Sequence, residues 1–191
     1  MTGRTHDLAA FTALMYVAAT QPLPDMSLGT VMVAFGANLI GGLAPDIDQP
    51  TADLWNRLPA GPVISRIFYP VLGGHRYISH SIIGIFVFGI VLKYFLAALG
   101  TILLVDMNVV WWAFMIGFVS HLIMDTITRD GVPWLFPIPF HIGIPPFRFM
   151  RMKSGGMVEQ SIIFPLLMVA NGYIIYRYYH HFIDFLRHSI R

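Results

Sequence analysis

The stretch NVVWWAFMIGFVSHLIMDTI, residues 108–127, decides how this chain is read. It is about as long as the roughly 20 mostly apolar residues that a helix needs to cross a bilayer. Its last turns carry two ionisable side chains, His121 and Asp125. Four residues apart on a helix, they share one face, one turn apart. An imidazole and a carboxylate at that spacing can ligate one metal ion, or one can orient the other. A hydrogen-bonded pair that simply ties two helices together is the structural alternative. Ionisable residues inside membrane segments are costly, which favours a functional role.

The whole chain supports the membrane reading. Its 191 residues are 56% hydrophobic and 12% charged, against roughly 25% charged in soluble domains. The length suits a single multipass membrane domain over residues 1–191. Cysteine is absent, which excludes disulfides and thiolate metal ligands. A net charge of +2 is too small to suggest a nucleic-acid partner. The first apolar stretch follows MTGRTHD without a small-residue cleavage site, so it is read as retained.

Five candidate spans are visible, at about 8–22, 27–43, 79–99, 108–127 and 160–179. The second carries Gly29, Gly36, Gly41 and Gly42, which permit close helix approach. The expected fold is an all-α integral membrane protein of about five helices. Two long connections join them, 44–78 and 128–159. The second is rich in proline and aromatics, which argues against a long helix. It is expected to be an irregular loop or short hairpin at the membrane surface, with Trp134, Phe136, Phe140, Phe147 and Phe149 at headgroup level.

Five spans place the N-terminus and both long connections on one face. That face carries Arg4, Arg57, Arg66, Arg76, Arg129, Arg148, Arg151 and Lys153. The short connections opposite, near 22–26 and 100–107, carry no Lys or Arg, although the tail adds Arg177, Arg187 and Arg191. The positive-inside rule then makes the first face cytoplasmic, in an inner membrane of bacterial type.

The unusual polar groups gather at this same face. PDID, residues 45–48, supplies Asp46 and Asp48 after a glycine-rich helix end. Two carboxylates so close repel unless a cation or protons lie between them; a solvated turn is the alternative. GHRYISHS, residues 74–81, supplies His75, His80 and Arg76, the last suited to a phosphate or a carboxylate. A cationic interface anchor is the alternative there. His6 and Glu159, each weak alone, precede the first span and open the fifth. Together they make four histidines and four carboxylates on one face. A catalytic zinc site uses three protein ligands and a water, so this set can hold one ion with supporting residues, or two.

The ordered set His6, PDID, GHRYISHS, GFVSHLIMDTITRDGVPWLFP and SGGMVEQ resembles the YdjM-like family of LexA-regulated, membrane-bound, metal-dependent hydrolases. The resemblance runs from residue 6 to about 165 and implies His6, Asp46, Asp48, His75, His80, His121, Asp125 and Glu159 as the polar site positions. Arg76 matches the family's GHR. Ser79 stands where the family favours threonine, so a hydroxyl is retained. The chain order of these residues is also distantly similar to zinc phospholipase C.

The expectation is a hydrolase holding one or two divalent ions, zinc first and manganese or magnesium next, acting on a phosphorylated or ester-linked lipid. His6, Asp46, His121 and Asp125 are the leading ligands, followed by His75, His80 and Glu159. Asp48 or Glu159 serves as general base. Arg76, with Arg148, Arg151 or Lys153, neutralises a phosphate. The rival expectations are a divalent-metal transporter or sensor, with Asn38 and Asn171 as its mid-span polar residues, and a non-catalytic scaffold tied by its metal.

Overall fold

The computed structural model describes residues 1–52, 55, 59, 61, 63, 65, 66, 78–138 and 140–189. His75 and Arg76 lie outside the described residues. Six α-helices are present among those described: α1 (Gly3–Thr20), α2 (Leu28–Leu43), α3 (Ile82–Leu99), α4 (Met107–Thr126), α5 (Phe164–Arg177) and α6 (Tyr179–Ser189).

Local chemistry explains most of the boundaries. Ser27 caps α2 by accepting from Thr30 N, Ser81 caps α3 by accepting from Gly84 N, and Asp106 caps α4 by accepting from Asn108 N and Val109 N. The α2 helix tightens into a 3-10 turn, Ala44–Asp48, where Pro45 stands at the start. A π-helical turn, Glu159–Ile163, leads into α5. The wider turn precedes Pro165, which has no N–H to give to the helix.

The α1 helix differs from its sequence expectation. It begins at Gly3, not near residue 8, so His6 stands inside its first turns. Thr2, at its N-cap, makes no capping bond with its own side chain to the helix. A distant carboxylate, Glu159, engages this end instead, which is why the polar run GRTHD winds into the helix.

The central helix is α4. It packs chiefly on α2, then on α1 and α3, while α5 lies against α1. Glycines set the closest approach. A Cβ on Gly41 would collide with the Phe114 carbonyl of α4, and one on Gly117 with the Asn38 carbonyl of α2. On the other side of α2, a Cβ on Gly42 would stand 2.8 Å from Ala10 Cβ of α1. Only backbones lacking that atom come so near. Gly36, by contrast, would meet nothing within 4 Å. Phe114, Met115, Phe118 and Leu122 fill the core beneath these crossings.

The outer surface is apolar. On α3, whose mean hydropathy is 2.4, Phe86, Ile90, Tyr94 and Phe95 are exposed. Water would not tolerate such a face; acyl chains do. Leu28–Asp48, α3 and α4 are each long and apolar enough to cross a membrane. The pair Glu159–Arg177 and Tyr179–Arg187 passes together, bent by 67°. That makes three spans, or four with the bent pair, among the described residues rather than the five expected: α1, which holds the expected first span at about 8–22, is not apolar enough to count and lies sheltered by α2, α4 and α5.

The 128–159 connection is irregular, with two isolated bridges, Thr128 to Met152 and Val132 to Ile142. Phe140, Phe147 and Phe149 are exposed, as the interfacial reading requires. Trp134 turns inward instead, its indole N–H donating to Thr126 Oγ1 at 3.0 Å.

Candidate metal centre

The helix ends at one end of the bundle bring five side chains together: His6 from α1, Asp46 from the 3-10 turn, His80 from the residue before the α3 cap, and His121 and Asp125 from α4. His6, His80 and His121 are fully buried and Asp125 is 1% exposed, while Asp46 is 22% exposed. Asp46 therefore forms the open side of the cluster.

Asp46 Oδ1 lies 3.4 Å from His80 Nε2 and 3.6 Å from His121 Nε2. Asp125 Oδ2 lies 3.8 Å from His121 Nε2, and Asp125 Oδ1 lies 3.3 Å from His6 Nε2. His6, Asp46 and His121 form one group with ligand atoms within 4.8 Å of one another, and His80, His121 and Asp125 form another. The two groups share His121. The His6 and His121 rings stack at 3.7 Å between centroids. The α-ammonium group of Met1 also reaches Asp125 Oδ1, at 2.7 Å.

The donor atoms suit a cation. His121 Nδ1 lies 2.7 Å from the Gly42 carbonyl, a partner that can only accept. Nδ1 therefore donates to that carbonyl, and Nε2 is the nitrogen turned to the cluster. That Nε2, and both ring nitrogens of His6, are buried without a hydrogen-bond partner among the described residues. Buried polar atoms are ordinarily satisfied, and imidazole nitrogens left open beside carboxylates are suited to a metal ion.

Asp48 lies one step outside. It is fully buried, accepts from Ser79 Oγ, and stands 3.4 Å from His80 Nδ1. It holds the ring whose Nε2 faces Asp46, an arrangement that orients a metal-binding histidine. Burial alone would lower the His80 pKa. Hydrogen bonds and attraction from Asp46 and Asp48 outweigh that and hold it up at about 9.

Glu159 is also fully buried, but its oxygens are taken by protein donors. Oε1 accepts from Thr2 N at 2.8 Å, Thr2 Oγ1 at 2.8 Å and Thr5 Oγ1 at 2.7 Å, and Oε2 accepts from Gly155 N at 2.7 Å. It docks the start of α1, immediately before His6. Thr2 and Thr5 were not legible as partners in the sequence; their only signal was a pair of hydroxyl residues three apart beside His6. Of the cationic residues, Arg148 pairs with Asp130 and Arg151 with the Pro145 and Pro146 carbonyls.

The family described as YdjM inner membrane protein matches residues 1–181. The chain belongs to the YdjM family. Relatives include the uncharacterized protein YvsG of Bacillus subtilis (strain 168), 29% identical over 94% of this chain and 98% of its own. The inner membrane protein YdjM of Escherichia coli (strain K12) is 25% identical over 88% of this chain and 80% of its own. No solved structure matches the chain. Membership of the YdjM family, with the apolar helices described above, makes this a membrane protein.

Proposed function

We propose that this YdjM family member is a metal-dependent hydrolase of a phosphorylated or ester-linked membrane lipid. One observation carries the reading: three imidazoles and two carboxylates meet at the end of the bundle in two donor groups that share His121, and ring nitrogens of His6 and His121 are buried there without a hydrogen-bond partner among the described residues. His6, Asp46, His80, His121 and Asp125 are the donors that would hold the ion, and a set rich in imidazole suits zinc. Because His121 offers one free nitrogen to both groups of donors, a single ion is the simplest occupant. Such an ion polarises a phosphoryl or carbonyl oxygen and brings the pKa of water down to about 7.

The chain's own residues divide the remaining work. Asp46 stands on the exposed side and is the ligand that a substrate meets first. Asp48 fixes the His80 ring, and Glu159 fixes the α1 segment that carries His6. Asp48 and Glu159, the bases expected from the sequence, both accept from protein hydroxyls, Asp48 from Ser79 and Glu159 from Thr2 and Thr5. The positive-inside pattern supports a cytoplasmic location for the cluster.

A transport role is disfavoured by what lies below the site. Phe114, Met115, Phe118 and Leu122 form an apolar plug. Asn38 gives its amide to the Ala113 carbonyl, and Asn171 gives its amide to Thr12 and the Leu167 carbonyl. These amides tie helices together rather than lining a route.

The test is metal content and turnover in purified protein, using phosphate-ester and acyl-ester lipids. Bound zinc with hydrolysis that His121→Ala and Asp46→Ala both abolish supports the proposal. Full turnover and full metal content in both variants overturns it, as does metal flux into proteoliposomes without hydrolysis.

A further inference from the structure

A second site stands at the corner between α1 and the π turn. A cavity of about 430 Å³ opens there, lined by Thr2, Arg4, Thr5, Gln160 and Phe164. Its volume falls in the range typical of ligand pockets, about 300–1,000 Å³. Arg4 is exposed, and its guanidinium makes no hydrogen bond or ion pair among the described residues. The nearby acid, Glu159, does not answer it, because its oxygens are held by Thr2, Thr5 and Gly155. The turn at Gly155 packs beside Thr2, a Cβ there standing 3.8 Å from Thr2 Cγ2. Lys153, two residues earlier and exposed, adds a second cation to this end of the bundle.

The lining changes character along the helix. Arg4 and Gln160 belong to the first turns of two helical segments that start at the same end, where headgroups meet the bundle. Phe164 is one turn further in, half-buried, and beyond it Leu166 and Val169 are exposed on the outer surface of α5. A cationic mouth continuing into an apolar wall matches an anionic amphiphile, not a soluble anion. Basic pockets between membrane helices take lipid phosphates in this way, and guanidinium matches phosphate in geometry as well as charge.

We propose that the α1–π-turn cleft binds the phosphate headgroup of an anionic phospholipid, with Arg4 on the phosphate and an acyl chain along Phe164 and the outer face of α5. The cleft shares Thr2 and Thr5 with the contact that docks α1 on Glu159, but none of the proposed metal ligands lines it.

The experiment uses the full chain in nanodiscs of equal phosphatidylglycerol and phosphatidylcholine, followed by gentle extraction and mass analysis of retained lipid. The wild type retains phosphatidylglycerol preferentially. Arg4→Gln lowers that preference about tenfold, the order expected for loss of one charged hydrogen bond, while Arg4→Lys keeps most of it. Helix content and metal content of Arg4→Gln match the wild type, which separates the effect from misfolding and from the metal site. Equal retention of both lipids by the wild type, or an unchanged preference in Arg4→Gln, overturns the proposal. Displacement of the lipid by millimolar inorganic phosphate alone would mark a site for soluble anions and overturns it too.

Discussion

Glu159 accepts a hydrogen bond from Thr5 Oγ1 at 2.7 Å, across 154 positions of chain. The residue after Thr5 is His6, whose Nε2 lies 3.3 Å from Asp125. One buried carboxylate on the last span thus fixes where the first helix presents its histidine. Removing it orphans buried donors, at about 1–3 kcal/mol each. Glu159→Ala is expected to lower thermal stability in detergent by that order and to weaken metal binding. Thr5→Val has a smaller effect in the same direction. Because both act through one contact, the double variant loses less than the sum of the two. Additive losses would show that Glu159 works elsewhere.

His121→Ala and Asp46→Ala remove donors at the middle and at the open side of the cluster. Each is expected to reduce bound metal by at least about tenfold, read by elemental analysis against protein concentration. Retention of stoichiometric metal in both would assign the ion to other residues.

Asp48→Asn tests orientation rather than ligation. The amide keeps the volume but loses the charge that steadies the His80 ring. Metal affinity falls about 10–100-fold while saturating metal restores full occupancy. A complete loss of occupancy would instead make Asp48 a ligand.

Metal binding is expected to depend on pH through His80. Without an ion the ring keeps its proton up to about pH 9, and the ion must displace that proton. Below that pH, affinity rises with pH by about tenfold per unit for one released proton. The rise flattens above it. Calorimetry in buffers of different ionisation enthalpy reads the released proton directly; no buffer dependence at pH 7 would contradict the assignment.

The glycine crossing gives a paired prediction. Gly117→Leu forces side-chain atoms into the Asn38 carbonyl and pushes α2 from α4. Overpacking of this kind costs about 1–3 kcal/mol or more, and it separates Asp46 from His121, so metal binding falls with stability. Gly36→Leu, where a Cβ meets nothing within 4 Å, leaves both near the wild-type value. Thermal denaturation and metal titration of the two variants distinguish them.

Much of the site is legible in the sequence. The spans at 27–43, 79–99 and 108–127 correspond closely to α2, α3 and α4, because apolar runs and their caps are local. The gathering of His6, Asp46, His80, His121 and Asp125 at one end followed from counting spans. The roles of Glu159 and Asp48 were not legible, because both depend on which donors the fold places opposite them. The entry of GRTHD into α1 was hidden for the same reason: its docking partner stands more than 150 residues away.

The sequence by itself determined the solvent of this protein and the depth of its polar residues. Apolar run length and the alternation of spans are properties of a chain read in order. Only the tertiary structure decided which side chains share a point and which carboxylates are already occupied. That depends on helix rotation and on the backbone approach at Gly41 and Gly117, and a few tenths of a turn in either would aim the same residues at different neighbours.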